Sequence, residues 1–202
     1  MNDSWLAESV ARNPSPPRLT LPLRFMEADV LNIPGMEDGS DSPLRRITKE
    51  YLKNFWTVAP QGIGCLFLGK AGTYKTYAAC AIARRVHRQG VDTMFAQCPV
   101  VLNRIERNRF GTESAETIHR LSTVPFLVMD DFSQVDSKTF ASGLLVEIAE
   151  ARFSNCRPTI WTGNIELRDG VKVTSVLGNL YGPSFSRRIT EASKRYAIYI
   201  RS

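Results

Sequence analysis

An α/β domain built on a mainly parallel sheet is the fold class this sequence predicts, and three observations predict it. Cys65-Leu66-Phe67-Leu68-Gly69 reads as a short apolar strand that enters a glycine-bearing turn and then a helix headed by Lys75-Thr76. Pro125-Phe126-Leu127-Val128-Met129 is apolar without alternation and ends in Asp130-Asp131. A run of that kind suits a strand buried on both faces, as in a parallel sheet covered by helices. The remaining patterns alternate between strand and helix along the chain, which is the signature of the class.

Taken in order, residues 1–20 form an arm. Asp3 or Ser4 caps a short helix bearing Trp5, Leu6 and Val10, and Asn13-Pro14-Ser15-Pro16-Pro17 ends it. Such an arm either frays or, as a detached helix, docks on a partner. After an irregular stretch punctuated by Pro22, Pro34, Gly35 and Gly39, Ser42 caps a helix from Pro43 to about Phe55, with Leu44, Ile47, Tyr51 and Phe55 as its core face. The helix after the glycine turn runs from Lys75 to about Gln89 and stops at Gly90. Its last turns carry Arg84, Arg85, His87 and Arg88, where the helix dipole favours cations. A strand over 93–96, helices over 99–107 and 114–121, and a helix over 138–154 with Phe140, Leu144, Leu145, Ile148 and Ala149 on one side come next. A strand over 158–162, helices over 173–181 and 184–193, and a last strand over 196–200 complete the expectation.

The bulk properties narrow the class of function. A chain of 202 residues is long enough for one buried core and short for two. No apolar run approaches a bilayer span, and Met1-Asn2-Asp3-Ser4 lacks the basic start of a signal peptide, so a cytoplasmic protein with no membrane partner is expected. Four cysteines without a C-x-x-C pair and two distant histidines argue against a zinc site or a disulfide framework and for reduced, buried thiols. A net charge of +6 suits a protein that meets an anionic polymer.

The turn is the candidate site. Gly69, Lys70, Ala71, Gly72, Thr73, Tyr74, Lys75, Thr76 and Tyr77 follow the layout of a phosphate-binding loop, in which N–H groups and a helix N-terminus converge on one anion. Lys75 would add a charge beside the β- and γ-phosphates, and Thr76 and Asp130 would be ligands for Mg²⁺. Asp131 would orient or deprotonate the attacking water. Tyr74 stands where the motif has its second glycine. It is expected to carry a positive φ with its ring turned away from the phosphates; glycine there tightens nucleotide binding if Tyr74 only weakens the loop, or weakens binding or assembly if Tyr74 packs on the lead-in segment or a neighbouring subunit.

Gly69-Lys70-Ala71-Gly72-Thr73, Lys75-Thr76, Asp130-Asp131-Phe132 and Arg157-Pro158-Thr159-Ile160-Trp161-Thr162-Gly163-Asn164 together resemble the DnaC-type helicase loaders and IstB-type ATPases of the AAA+ class. The lead-in Leu23-Arg24-Phe25-Met26-Glu27-Ala28-Asp29 and Tyr51-Leu52-Lys53-Asn54-Phe55 look similar too, so the resemblance covers roughly residues 21 to 200. It implies a P-loop NTPase of AAA+ type over residues 21–202 with five strands, ending too soon for a full helical lid. It also implies ATP and Mg²⁺ as cofactors, Asn164 as the residue that reads the γ-phosphate, and an arginine finger at Arg187 or Arg188, with Arg188 preferred. A finger acts on a neighbour's nucleotide, so a homo-oligomer follows. The function implied is a helicase loader in DNA replication, switched by ATP between states that bind a replicative helicase and single-stranded DNA. An IstB-type regulator with a transposase as partner is the alternative, and Tyr74 leaves room for an adaptor that does not hydrolyse ATP. The related initiators grip single-stranded DNA between the second strand and the carboxylates, where this chain has Arg104, Arg107, Arg109 and Phe110, with Arg120 further on.

Overall fold

The computed structural model describes residues 4–12, 15–108, 111–167 and 169–200. Five strands, β1 (Cys65–Gly69), β2 (Thr93–Gln97), β3 (Phe126–Asp130), β4 (Thr159–Asn164) and β5 (Ala197–Ile200), pair in the order β2-β3-β4-β1-β5. Every pairing is parallel. Eight α-helices are described: α1 (Ser4–Arg12), α2 (Pro43–Val58), α3 (Lys75–His87), α4 (Cys98–Arg107), α5 (Thr112–Thr123), α6 (Phe140–Ser154), α7 (Val173–Tyr181) and α8 (Pro183–Ser193).

The side-chain alternation of the strands divides the interior into two cores. Phe67, Phe126, Val128 and Ile160 face α1, α2 and α3, where they meet Leu6, Tyr51, Phe55 and Ile82. Leu66, Leu68, Leu127, Met129 and Trp161 face the other way, onto Leu102, Leu121, Leu145, Ile148, Leu177 and Phe185 of α4 to α8. Both faces of the central strands are buried, which is why β1 and β3 read as unbroken apolar runs.

Local signals explain the element ends. The Ser42 hydroxyl accepts from the Arg45 N–H at 3.3 Å and Pro43 occupies the first turn of α2. Gly90, at φ +88, follows the end of α3. Arg152 of α6 is fully buried and acts as a staple. Its guanidinium donates to the carbonyls of Leu121, Val124 and Pro158 and to the Thr159 hydroxyl at 2.7–2.9 Å, joining α5 to the starts of β3 and β4. Burial pushes its pKa down to about 9.

Three expectations need correction. The helix of the N-terminal arm is not detached: Leu6 is buried in the α2–α3 core, and the Trp5 indole donates to the Pro60 carbonyl at 2.8 Å with the Arg157 guanidinium 4.1 Å from its ring centre. The two apolar residues that suggested a partner are covered within the chain; Asn13 and Pro14 lie outside the described residues. Phe140, expected in the core, is 47% exposed, because it opens the first turn of α6 and burial begins only at Ala141. Cys65, Cys80 and Cys98 are buried thiols, whereas Cys156 is exposed just past the end of α6.

Candidate nucleotide-binding site

Strand order assembles the site. Because β4 lies between β1 and β3, its end stands between the loop after β1 and the two aspartates after Met129. A ligand beyond the carboxyl ends of these strands meets all three segments, the usual position for binding in open parallel sheets.

Gly69 ends β1 at φ +145, and a Cβ there would stand 2.4 Å from the Ile200 carbonyl oxygen of β5, so only glycine lets the loop leave the sheet here. The loop is closed by its own hydrogen bonds. The Thr73 hydroxyl donates to the Lys70 carbonyl at 2.8 Å, and the Lys75 ammonium donates to the same carbonyl at 2.5 Å and to the Thr73 hydroxyl at 3.1 Å. Tyr74 precedes α3 at φ 61, ψ 14, the left-handed conformation expected of the missing glycine. Its ring is half-exposed and meets Tyr77 edge-on at 6.3 Å. The first bond of α3 runs from the Ala78 N–H to the Tyr74 carbonyl, leaving the preceding N–H groups of the helix directed at the loop.

The carboxylates are set by side chains of α3 and β4. The Thr76 hydroxyl donates to Asp130 Oδ1 at 2.8 Å and the Thr162 hydroxyl donates to the same oxygen at 2.6 Å. Asp131 also has a positive φ, 55°, and its N–H donates to the Thr162 hydroxyl at 2.9 Å. Asn164 Nδ2 donates to Asp131 Oδ1 at 2.8 Å, while the Asn164 N–H is received by Ser133. Burial raises both carboxyls above the usual range, Asp131 further through the charge of Asp130. Burial lowers Lys75, an effect opposed by Asp131 and Asp130. An anion in the loop would favour the charged lysine.

A cleft of about 500 Å³ runs over this arrangement, lined by Ala71 to Tyr77, Asp131, Thr162 and Asn164 and also by Arg24 and Phe25. A second cleft, of about 580 Å³, shares Gly72, Thr73 and Tyr74 with it and is otherwise walled by Ile33, Met36, Leu44, Ile198 and Ile200 among others. Thr162, Arg24 and Phe25 are site residues that the motif reading missed. The alternation of β4 could have revealed Thr162, because residues two apart on a strand share a face with Asn164. Metal chemistry fits the donor set. Thr76 and Asp130 offer adjacent oxygens, and among the described residues no cluster of three or more His, Cys, Asp or Glu could form a protein-only cage. One carboxylate, a hydroxyl, waters and a phosphate is the way Mg²⁺ is commonly held.

Other expected residues lie elsewhere. Arg188 sits on α8, ion-paired with Glu150 of α6 and donating to the Ser184 hydroxyl at 2.9 Å, away from the chain's own loop. Its neighbour Arg187 is exposed. Arg104 pairs with Glu113 of α5, and Arg107 is exposed on the same helix. Arg120 is held in two-pronged fashion by Asp92, at 2.7 and 2.6 Å, which makes it a structural residue of α5. Arg109 and Phe110 lie outside the described residues.

Comparison with known proteins gives the family and the fold. The chain is 26% identical over 125 residues to the insertion-sequence ATP-binding protein y4uH of Sinorhizobium fredii, covering 59% of this chain and 50% of that protein. It is 27% identical over 105 residues to the insertion sequence IS1162 ATP-binding protein of Pseudomonas fluorescens, covering 52% and 45%. The chain thus spans about half the length of the curated relatives it matches. Among solved structures, the DnaC helicase loader superposes with a TM-score of 0.78 at 20% identity, over 89% of this chain and 99% of that one, so the fold is the AAA+ P-loop fold. The sequence matches the family described as IstB-like ATP binding protein over residues 46–175, a span that holds the loop, both aspartates and Asn164. This chain therefore belongs to the IstB-like ATP-binding family.

Proposed function

We propose that the protein is a Mg²⁺-dependent ATPase that assembles on DNA with a transposase as its protein partner and uses ATP as the switch. The observation that carries the nucleotide site is the 2.8 Å hydrogen bond from Thr76 to Asp130, which brings together two motifs 54 residues apart in sequence. The insertion-sequence relatives favour the transposase. Helicase loading, the reading that the motifs first suggest, is the second candidate. The likeness to the DnaC loader does not choose between them, because at 20% identity it speaks for the fold.

In this reading the phosphates lie on the N–H groups of the loop and the start of α3, with Lys75 beside the β- and γ-phosphates. The two clefts meet at Gly72, Thr73 and Tyr74, so a nucleotide with phosphates in the first lays its base along the apolar wall of the second. Thr76 and Asp130 would hold Mg²⁺, which neutralises charge on the β- and γ-oxygens. Asp131 receives the proton of the attacking water or orients it. The Thr162 hydroxyl fixes its backbone, Asn164 fixes its carboxylate, and a raised pKa makes it a better base. An arginine of α8 completes a neighbour's site. Arg188 would have to leave Glu150 to do so, whereas Arg187 is already exposed.

Calorimetry with ATP and Mg²⁺ tests the first step, and equal binding by Lys75→Ala would refute it. Asp131→Asn is expected to bind ATP and fail to hydrolyse it. Mixing it with Arg188→Ala should restore part of the activity, since each supplies what the other lacks. Stimulation of the ATPase by a co-encoded transposase, set beside a replicative helicase, decides the partner.

A further inference from the structure

The face of the sheet covered by α2 and α3 carries a second feature, remote from the aspartates. A cleft of about 480 Å³ between these helices is lined by Lys49, Lys53, Arg84, Arg85 and Arg88. An adjoining cleft of about 250 Å³ shares Arg84 and Arg88 with it and adds Arg18, so the two form one continuous cationic strip. Two of the acids nearby are already paired with cations, whereas Asp29 and the exposed Glu50 of α2 have no ion-pair partner among the described residues. Glu27 pairs with Arg84, Asp41 pairs with Lys49, and Asp29 accepts from the Leu31 N–H at the head of a short turn. Lys53, Arg85, Arg88 and Arg18 are exposed and have no ion-pair partner among the described residues.

The position of Arg85 and Arg88 near the end of α3 satisfies the helix dipole, but that effect does not account for Lys53 in mid-helix on α2 or for Arg18 beyond α1. A small anion would need donors converging on one point, whereas this strip extends across two clefts. The core of a protein interface is depleted of charged groups, while five charged groups without an ion-pair partner line these clefts and four of them, Lys53, Arg85, Arg88 and Arg18 against Asp29, are cationic. Single-stranded nucleic acid is gripped by stacking on aromatic rings, and no Phe, Tyr or Trp lines either cleft. We propose that the α2–α3 face binds the phosphate backbone of double-stranded DNA, without reading its sequence, on the side of the sheet opposite α4. The inference rests on the reading that the protein works on DNA, and it names a surface and a form of DNA that this reading leaves open.

The test is fluorescence anisotropy with a labelled duplex over a series of salt concentrations. It compares the parent, Lys53→Ala/Arg85→Ala/Arg88→Ala and Arg104→Ala/Arg107→Ala, with ATP affinity checked in each to show that the fold is kept. Each lost phosphate contact reduces the slope of log K against log salt by about 0.9, roughly eight-fold in affinity near 0.1 M salt. The triple variant should therefore lose about two to three units of slope, and the α4 pair should lose little. Unchanged slope and affinity in the triple variant, with the parent binding normally, overturns the surface. Tight binding of labelled poly-L-glutamate by the parent, lost in the triple variant, assigns the face to an acidic protein, with the exposed Leu31 at its rim, and overturns the DNA proposal. Preference of the parent for a single strand that the triple variant retains also overturns it. If the parent binds no duplex at low salt, the DNA reading itself fails, and that outcome shows in the parent rather than in the variant.

Discussion

Replacing Tyr74 separates a cost of folding from a cost of binding. The residue is held at φ 61 by contacts within the protein: the Ala78 N–H bonds its carbonyl at 2.9 Å, and Thr73 and Lys75 close the loop on the Lys70 carbonyl. A conformation fixed in this way is strained with or without phosphate, so the strain cancels in the affinity. The tightening that the motif alone leads one to expect on restoring glycine is therefore replaced by an affinity within about three-fold of the parent, or roughly 0.7 kcal/mol. The strain appears in stability instead. Tyr74→Ala loses the edge-on contact with Tyr77, worth about 0.5–1 kcal/mol for a half-exposed ring, and keeps the left-handed strain. Going from Ala to Gly relieves about 1–2 kcal/mol and loosens the unfolded chain by about 0.4–1 kcal/mol. The glycine variant should thus be about 0.5–1 kcal/mol more stable than the alanine variant and close to the parent. Urea denaturation of the three proteins, with ATP titrations alongside, measures both quantities. An alanine variant more stable than the glycine variant, or ATP bound tenfold tighter by the latter, would refute the reasoning.

Thr162→Val should lower the ATPase turnover by roughly 10–100-fold with little change in KM, because the hydroxyl orients Asp130 and the Asp131 backbone together, and Thr162→Ser should recover most of it. Equal losses in the Val and Ser variants would refute the assignment, because serine keeps the hydroxyl that is held responsible. Arg152→Met should destabilise the fold by about 2–4 kcal/mol in urea, since it takes the guanidinium from the carbonyls of Leu121 and Val124 while that of Pro158 keeps the Leu127 N–H, and a loss under about 0.5 kcal/mol would show that water reaches them. Burial raises Asp130, so the folded protein takes up a proton more readily than the unfolded chain. That contribution is fully favourable below the unfolded pKa and is lost as pH rises through the higher folded value. Asp130→Asn should therefore melt higher than the parent at neutral pH in EDTA, with the difference closing toward acid; a lower melting temperature at neutral pH refutes it.

The strands and the long helices were legible because each is set by a local signal. β1 and β3 are uniform apolar runs, α2 has Ser42 and Pro43 at its head, and α3 is followed by Gly90. The loop and Asp130 were legible because their chemistry sits in contiguous residues. What escaped depends on distant contacts. Thr162 matters only because β4 is inserted between β1 and β3, and motif spacing carries no strand order. Arg24 and Phe25 reach the cleft through the packing of Phe25 against Tyr77. Arg120 looks like a free cation until Asp92, 28 residues earlier, is placed beside it. Trp5 and Leu6 suggested an absent partner because nothing local tells that the Pro60 turn and Arg157 receive Trp5 and that the α2–α3 core receives Leu6. Phe140 follows helical spacing faithfully, and spacing is blind to where the covered layer stops.

Phe132 follows Asp131 directly, and its ring stands 5.9–6.1 Å from those of Trp161, Tyr181 and Phe185. The Tyr181 hydroxyl, shared between the carbonyls of Phe132 and Val135, locks the same turn to α7. The turn that carries Asp131, the carboxylate proposed to handle the water, and the helix pair that carries Arg187 and Arg188 are thus geared through one ring. If these arginines serve a neighbour, a protomer that tightens around its own γ-phosphate re-aims what it offers next door, and occupancy is passed around an assembly as a change in posture. Phe132→Leu would keep every reacting group and loosen the gear. The expected signature is ATP hydrolysis whose rise with protein concentration is blunted at unchanged nucleotide affinity, and an unaltered rise would leave the aromatic cluster a purely structural role.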